Sequence, residues 1–123
     1  MNTSYSAQVR VLAGGSVGVT LVRFAGTSDA VLIGKEVVLK GVTYTAGTVL
    51  HVDVLASGSG TTALSATVWT DGATRPATPT VTATDTTAAL QAAGAVGLSS
   101  YLSGSATSPV DVRFTSFAVT TAG

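Results

Sequence analysis

The stretch TVLHVDVLASGSGTTALSATVWT, residues 48–70, decides the fold. Thr48 to Ala56 and Thr62 to Thr70 both carry apolar side chains at every second position, the period of a half-buried strand. Ser57-Gly58-Ser59-Gly60 separates them and supplies turn residues, so the two runs predict an antiparallel hairpin. Its alternation sorts the side chains onto two faces. Leu50, Val52, Val54, Leu64, Ala66 and Val68 form a dry, core-type face. Val49, His51, Asp53, Ser65, Thr67, Trp69 and Asp71 form a polar face with one large aromatic. A loop over Ser57 to Thr61 sets His51 opposite Thr67 and Asp53 opposite Ser65.

Outward from this hairpin the same pattern recurs. On the N-terminal side, Tyr5 to Leu12 alternates, with Tyr5, Ala7, Val9 and Val11 on one face. Gly14-Gly15 suits a two-residue turn, and Val17 to Phe24 then pairs back with Tyr5 facing Phe24, Val9 facing Thr20 and Arg10 facing Val19. Ala30–Ile33 and Lys35–Leu39 read as short strands, with Gly34 marking a bend or bulge. Val42 to Gly47 is a connection. On the C-terminal side, Asp71-Gly72 ends the hairpin, and residues 73–80 (ATRPATPT) hold two prolines and read as irregular or edge chain. Val81 to Thr84 is a further strand. A short helical turn is expected near 86–93, where Asp85 can cap, Ala and Leu follow, and Gly94 can stop it. Val96 to Leu102 and Val110 to Val119 are the last expected strands, joined over Ser103–Pro109. Short strands with closely spaced turns predict an all-β antiparallel sandwich, one domain over residues 1–123.

Composition agrees and excludes several functions. The chain has 123 residues, 46% hydrophobic and 10% charged, with six basic and six acidic side chains that cancel. Thr, Val, Ser and Gly are abundant while Glu, Lys and Met are sparse, which favours strands over helices. Six scattered cations make no phosphate-binding patch, so nucleic acid is not an expected partner. The apolar runs are a few residues long, against about 20 for a spanning helix, so no membrane is expected. Cysteine is absent, which removes disulfides, thiolate metal sites and cysteine nucleophiles. Met1 is followed by polar residues, so no signal peptide is expected in this chain.

Three stretches together resemble a known family. They are TYTAGTVLHVDV (residues 43–54), ATVWTDGATRPATPTVTATD (66–85) and LQAAGAVGLSSYLSGSATSPVDVRF (90–114). This order is similar to the concanavalin A-like, or laminin-G-like, jelly-roll domains of actinobacterial secreted proteins and of minor tail proteins of actinobacterial phages. The Trp69-Asp71-Gly72 turn and the Gly94-x-Val96-Gly97-Leu98 strand entry are the features that carry it. The resemblance runs from about Asn2 to Val119. It implies a jelly-roll sandwich and a binding or structural module, with glycan binding or virion attachment as the role and an extracellular or virion location. Domains of that family have further strands before the point matching Asn2. The resemblance therefore also implies that this chain lacks the N-terminal strands, either as a pared-down version or with those strands supplied by a partner.

The polar face of the hairpin holds what a sugar-binding surface needs. An aromatic plane packs on the C–H face of a pyranose, and short polar side chains with a carboxylate bond to hydroxyls. Trp69, His51, Asp53, Thr67 and Ser65 supply those groups. The competing role for Trp69 is packing beneath Pro76–Pro79, with His51 and Asp53 as ordinary exposed strand residues. No enzyme activity is expected. Glycosidases of the related jelly-roll type use two carboxylates about 5 Å apart. Here Glu36 is the single glutamate, with no acidic neighbour at i+2 or i+4, and Asp29, Asp53, Asp71, Asp85 and Asp111 are dispersed. Glu36 reads as a solvated charge near an edge strand. No cofactor is expected. Calcium, which some laminin-G-like domains bind, has only Asp71 and Asp111 as candidate ligands, and the Asp-x-Asp-x-Asp-Gly loop is missing.

Two functions follow as expectations. One is a lectin-like, non-catalytic carbohydrate-binding module of a phage tail or secreted bacterial protein. The other is a structural or assembly module, a homo-oligomer or a subunit among other virion or parent-protein subunits, pairing through exposed strand edges.

Overall fold

The computed structural model describes residues 2–107 and 109–122. Among them the regular structure is nearly all β and entirely antiparallel, as expected for a sandwich. The strands are β1 (Asn2–Val11), β2 (Val17–Thr27), β3 (Val31–Leu32), β4 (Val37–Val38), β5 (Leu50–Ser57), β6 (Thr62–Thr70) and β7 (Val81–Asp85). They make two sheets. In the first, β2 is central, with β1 along one side and both β3 and β4 along the other. In the second, β6 is central between β5 and β7. All of this lies in one unit, Met1–Ala92, and Ala93–Gly123 forms another.

The β1–β2 hairpin is one residue out of the expected register. Tyr5 faces Arg23, Ala7 faces Leu21, Val9 faces Val19 and Val11 faces Val17. The cause is the turn. Gly14-Gly15 does not close a two-residue hairpin but belongs to a 3-10 turn over Ala13–Gly15, flanked by a Leu12 N–H bond to the Ser16 carbonyl of 2.8 Å. A one-residue slip exchanges which side chains face each other across the pair. The observed register matches four apolar or long side chains of β1 to Val17, Val19, Leu21 and Arg23, giving one consistent inner face.

Residues 31–39 run along the other side of β2 as one interrupted strand. Ile33 N–H donates to the Leu21 carbonyl and Leu39 N–H to the Val17 carbonyl, at 2.8 and 2.9 Å. Gly34, at φ +89°, sits in the interruption, which is the expected bend.

The core forms where the inner faces meet. Val19 and Leu21 from β2 cluster with Leu64, Ala66, Val68 and Val81 from the other sheet. Tyr5, Ala7, Val9, Ile33, Leu39, Leu50 and Ala83 pack around them. Burial of such side chains stabilises by about 1.5–3 kcal/mol each, which makes this contact the main reason the two sheets stay together.

One end of this core is polar. Arg23 is the only charge that the register places on the inner face of β2. It pairs with Asp85, whose side chain is 5% exposed. Tyr5 Oη donates to Asp85 Oδ2 at 2.8 Å, and the Thr87 N–H donates to the same oxygen at 3.0 Å. Gln91 Nε2 donates to Tyr5 Oη at 3.1 Å, and Thr62 Oγ1 donates to Gln91 Oε1 at 2.8 Å. Burial pushes the Asp85 carboxyl upward, but the bonds from Thr87, Tyr5 and Arg23 outweigh it and hold the group at about 2. The helical turn expected near 86–93 is a 3-10 turn, Ala88–Leu90, and it carries Gln91 into this cluster. Asp85 therefore closes β7 and clamps four strands instead of capping a helix.

The strands expected at 96–102 and 110–119 are not formed. Among the described residues of 93–122 there is no strand or helix, only a turn in which the Ala106 N–H meets the Ser103 carbonyl at 3.0 Å. Val110, Val112 and Phe114 do alternate, and each is more than half exposed. Alternation makes a strand only when a neighbour supplies the ladder bonds, and among the described residues none does. The connection expected over 103–109 includes Ser108, which lies outside the described residues.

Candidate binding surface on the outer face of the β5–β6–β7 sheet

The β5–β6 hairpin keeps the two faces read from its sequence but shifts their pairing by two residues. His51 lies opposite Trp69, Asp53 opposite Thr67, and Leu55 opposite Ser65. The loop is Gly58 to Thr61, one residue shorter than expected on its N-terminal side, because Ser57 pairs with Ala63. Gly58 makes this turn possible. Its φ is +103°, and a Cβ there would stand 2.4 Å from the Thr61 carbonyl oxygen.

The shift brings the aromatic pair together. The His51 and Trp69 rings stack with centroids 5.2 Å apart and planes 16° from parallel. His51 Nε2 donates to Asp71 Oδ1 at 2.9 Å, so the residue ending β6 orients the imidazole. Across the sheet, Arg75 reaches back from the loop after Asp71. Its guanidinium carbon lies 5.7 Å from the Trp69 ring centre, and its Nε donates to Asp53 Oδ2 at 2.6 Å. Trp69 is half-buried, whereas His51, Asp53, Asp71 and Arg75 are exposed.

The loop that delivers Arg75 is tied down at both ends. Asp71 N–H donates to the Val49 carbonyl and Ala73 N–H to the Thr70 carbonyl, at 3.0 and 3.1 Å. At the far end Thr80 N–H donates to the Ala66 carbonyl, while Thr80 Oγ1 accepts from Val68 N–H at 3.0 Å. Packing beneath Pro76–Pro79 is the competing role that the sequence offers for Trp69; the side chain over the ring is that of Arg75.

The remaining site candidates separate. Thr67 is 3% exposed, although its parity puts it on the outer face. It supports the face and presents no hydroxyl to a ligand. Ser65 is half-buried and lines a shallow groove of about 490 Å³ with Leu55, Ser57, Ala63, Pro79, Thr82 and Thr84. By strand parity Leu55, Ser57, Ala63, Ser65, Thr82 and Thr84 share the outer face with Trp69, whereas Leu64 and Ala83, which also line the groove, belong to the inner face. Four positions separate Ser65 from Trp69 on β6, which is about 13 Å along a strand. Ser57, Ser65, Thr82 and Thr84 bring hydroxyls to a groove whose exposed lining is mainly apolar.

Each metal candidate has a partner in its own unit. Asp71 is engaged by His51, and Asp111 lies 3.6 Å from Arg113 in the other unit. Among the described residues no group of three or more His, Asp or Glu side chains could hold a metal ion. Glu36, read as a solvated charge, is instead paired. Arg10 Nε donates to it at 2.9 Å across Gly18, where a Cβ would meet the Glu36 carboxyl at 2.7 Å. Among the described residues no helix is long and apolar enough to cross a membrane.

Sequence reasoning missed Arg75 and the Tyr5–Arg23–Asp85–Gln91 cluster. Arg75 carried no strand parity that could assign it to a face. For the buried cluster a signal existed, because a lone Arg on an apolar strand face requires a buried acid. Comparison with family models, with curated proteins and with solved structures found no match.

Proposed function

We propose that this chain is a non-catalytic binding module of jelly-roll type that takes a carbohydrate on the outer face of the β5–β6–β7 sheet. The observation that carries it is the half-buried Trp69, stacked on His51 with Arg75 over the ring and the exposed carboxylates of Asp53 and Asp71 holding those two partners, on the same face as the groove at Ser65. With Arg75 moved off the indole, such a face offers a stacking plane and hydrogen-bonding groups in both directions, the two requirements for a pyranose. The resemblance of residues 43–114 to phage tail and secreted bacterial domains supports a host-surface glycan as the ligand and attachment as the role. A glycan array with the full chain and with Trp69→Ala tests it. The proposal expects binding to be lost in the variant with its circular dichroism unchanged; equal binding by both proteins overturns it.

An assembly role draws on a different observation. Val52 and Val54 belong to the inner face of the sheet, yet they are 43% and 55% exposed on the edge strand β5. Inner-face valines left open on an edge strand invite another strand or subunit. Sedimentation over a wide concentration range distinguishes the two roles. A chain that self-associates, and stops doing so as Val54→Lys, fits assembly. A monomer at every concentration contradicts it.

A further inference from the structure

The site on Trp69 is already filled by a cation, and the cation belongs to the chain. Arg75 stands over the indole, where a positive charge is attracted by the ring quadrupole, and is held by the Asp53 carboxylate. Without Arg75 the indole would keep His51 stacked on it, with Asp71 engaged by that imidazole, and would stand beside an unpaired Asp53 carboxylate. That combination selects ammonium groups over neutral or anionic ones.

The occupant is displaceable. The Arg75 and Asp53 side chains are 54% and 52% exposed, so their ion pair is screened and weak. Among the described residues, no N–H between those of Ala73 and Thr80 donates a backbone hydrogen bond to the main chain. Arg75 can therefore leave without unpairing the sheet. Its anchor, Asp53, lies in the strand row between that of Trp69 and that of Ser65.

We infer that Arg75 is a built-in occupant of a cation site formed by Trp69 and Asp53, and that the ligand it yields to is an amine-bearing glycan, a sugar with a free amino group. This rests on the carbohydrate-binding role proposed above. The ammonium takes the place of the guanidinium over Trp69 and against Asp53, and the rest of the sugar runs along the face toward the groove at Ser65.

The test titrates the full chain with a β-1,4-linked glucosamine tetramer and with its fully N-acetylated counterpart, at low and high salt. Trp69 is the single tryptophan, so its emission reports the site directly. The amine form binds about tenfold more tightly than the acetylated form, and salt narrows the gap. Arg75→Gln tightens the amine form several-fold, because the competitor is gone, and Asp53→Asn weakens it by about tenfold. Equal affinity for the two tetramers overturns the cation site while leaving carbohydrate binding intact. Weaker amine binding by Arg75→Gln also overturns it, since Arg75 is then a ligand contact and not an occupant. A lysine-rich peptide that binds where neither sugar does overturns both the inference and the carbohydrate role.

Discussion

Arg75 holds its guanidinium carbon 5.7 Å from the centre of the Trp69 ring while its Nε donates to Asp53 Oδ2 at 2.6 Å. One side chain thus links a loop, the middle strand of a sheet and its edge strand. His51, opposite Trp69 on β5, adds a stacked ring held by Asp71. The aromatic that reads in sequence as a bare platform is engaged on the protein's own side chains, and any ligand on this face must work with or displace them.

The buried Arg23–Asp85 pair is the first place to measure stability. Asp85→Asn leaves Arg23 without its counter-charge and is expected to cost about 3–5 kcal/mol in urea unfolding. Replacing both partners together, as Arg23→Met with Asp85→Leu, is expected to recover a large part of that loss. A single variant as stable as the parent protein would contradict the clamp.

The same carboxylate sets an acid limit. Its folded value is depressed from 3.8 to about 2. A depressed carboxylate adds stability that is present above its unfolded value and lost as pH falls through its folded one. Unfolding free energy is therefore expected to drop by about 2 kcal/mol between pH 4 and pH 2, and Asp85→Asn removes that slope. An unchanged slope in the variant would show that another group carries the acid sensitivity.

Two glycines of one turn are expected to respond differently. Gly58 and Gly60 both have positive φ, but only Gly58 has a backbone oxygen where a Cβ would go. Gly58→Ala is expected to cost about 2–3 kcal/mol, by strain and collision together, and Gly60→Ala about 1 kcal/mol. Thermal melts of the two variants decide the order.

Packing separates the core from the exposed apolar residues of 93–122. Leu64 is 4% exposed inside the cluster of the two sheets, whereas Val112 is 56% exposed. Leu64→Ala is expected to lose about 3 kcal/mol and Val112→Ala to stay within about 0.5 kcal/mol. A large loss at Val112 would mean that it packs in solution.

Much of the sandwich was legible because alternation is a local property. Residues 48–70 showed both faces of their hairpin, and Gly34 showed its bend. Register was not legible, since it depends on turn geometry that Gly14-Gly15 and Ser57 to Gly60 leave open. The β1–β2 pair slipped by one residue and the β5–β6 pair by two. That second slip is why His51 was placed against Thr67 and its stack with Trp69 was not foreseen. Alternation also overreached: Val110, Val112 and Phe114 carry a strand pattern with no ladder to join. Of the site candidates, Trp69, His51 and Asp53 come together, Ser65 lines the adjoining groove, and Thr67 is buried. Arg75 escaped notice because a proline-flanked loop has no period from which a face can be read.

The most direct measurement is Trp69 emission during titration with whichever glycan the array selects, run alongside calorimetry on the same samples. The account predicts a saturable change in emission whose midpoint matches the calorimetric one, and its disappearance in Asp53→Asn. Heat of binding without any change at Trp69 would place the ligand elsewhere on the molecule and contradict the assignment of this face.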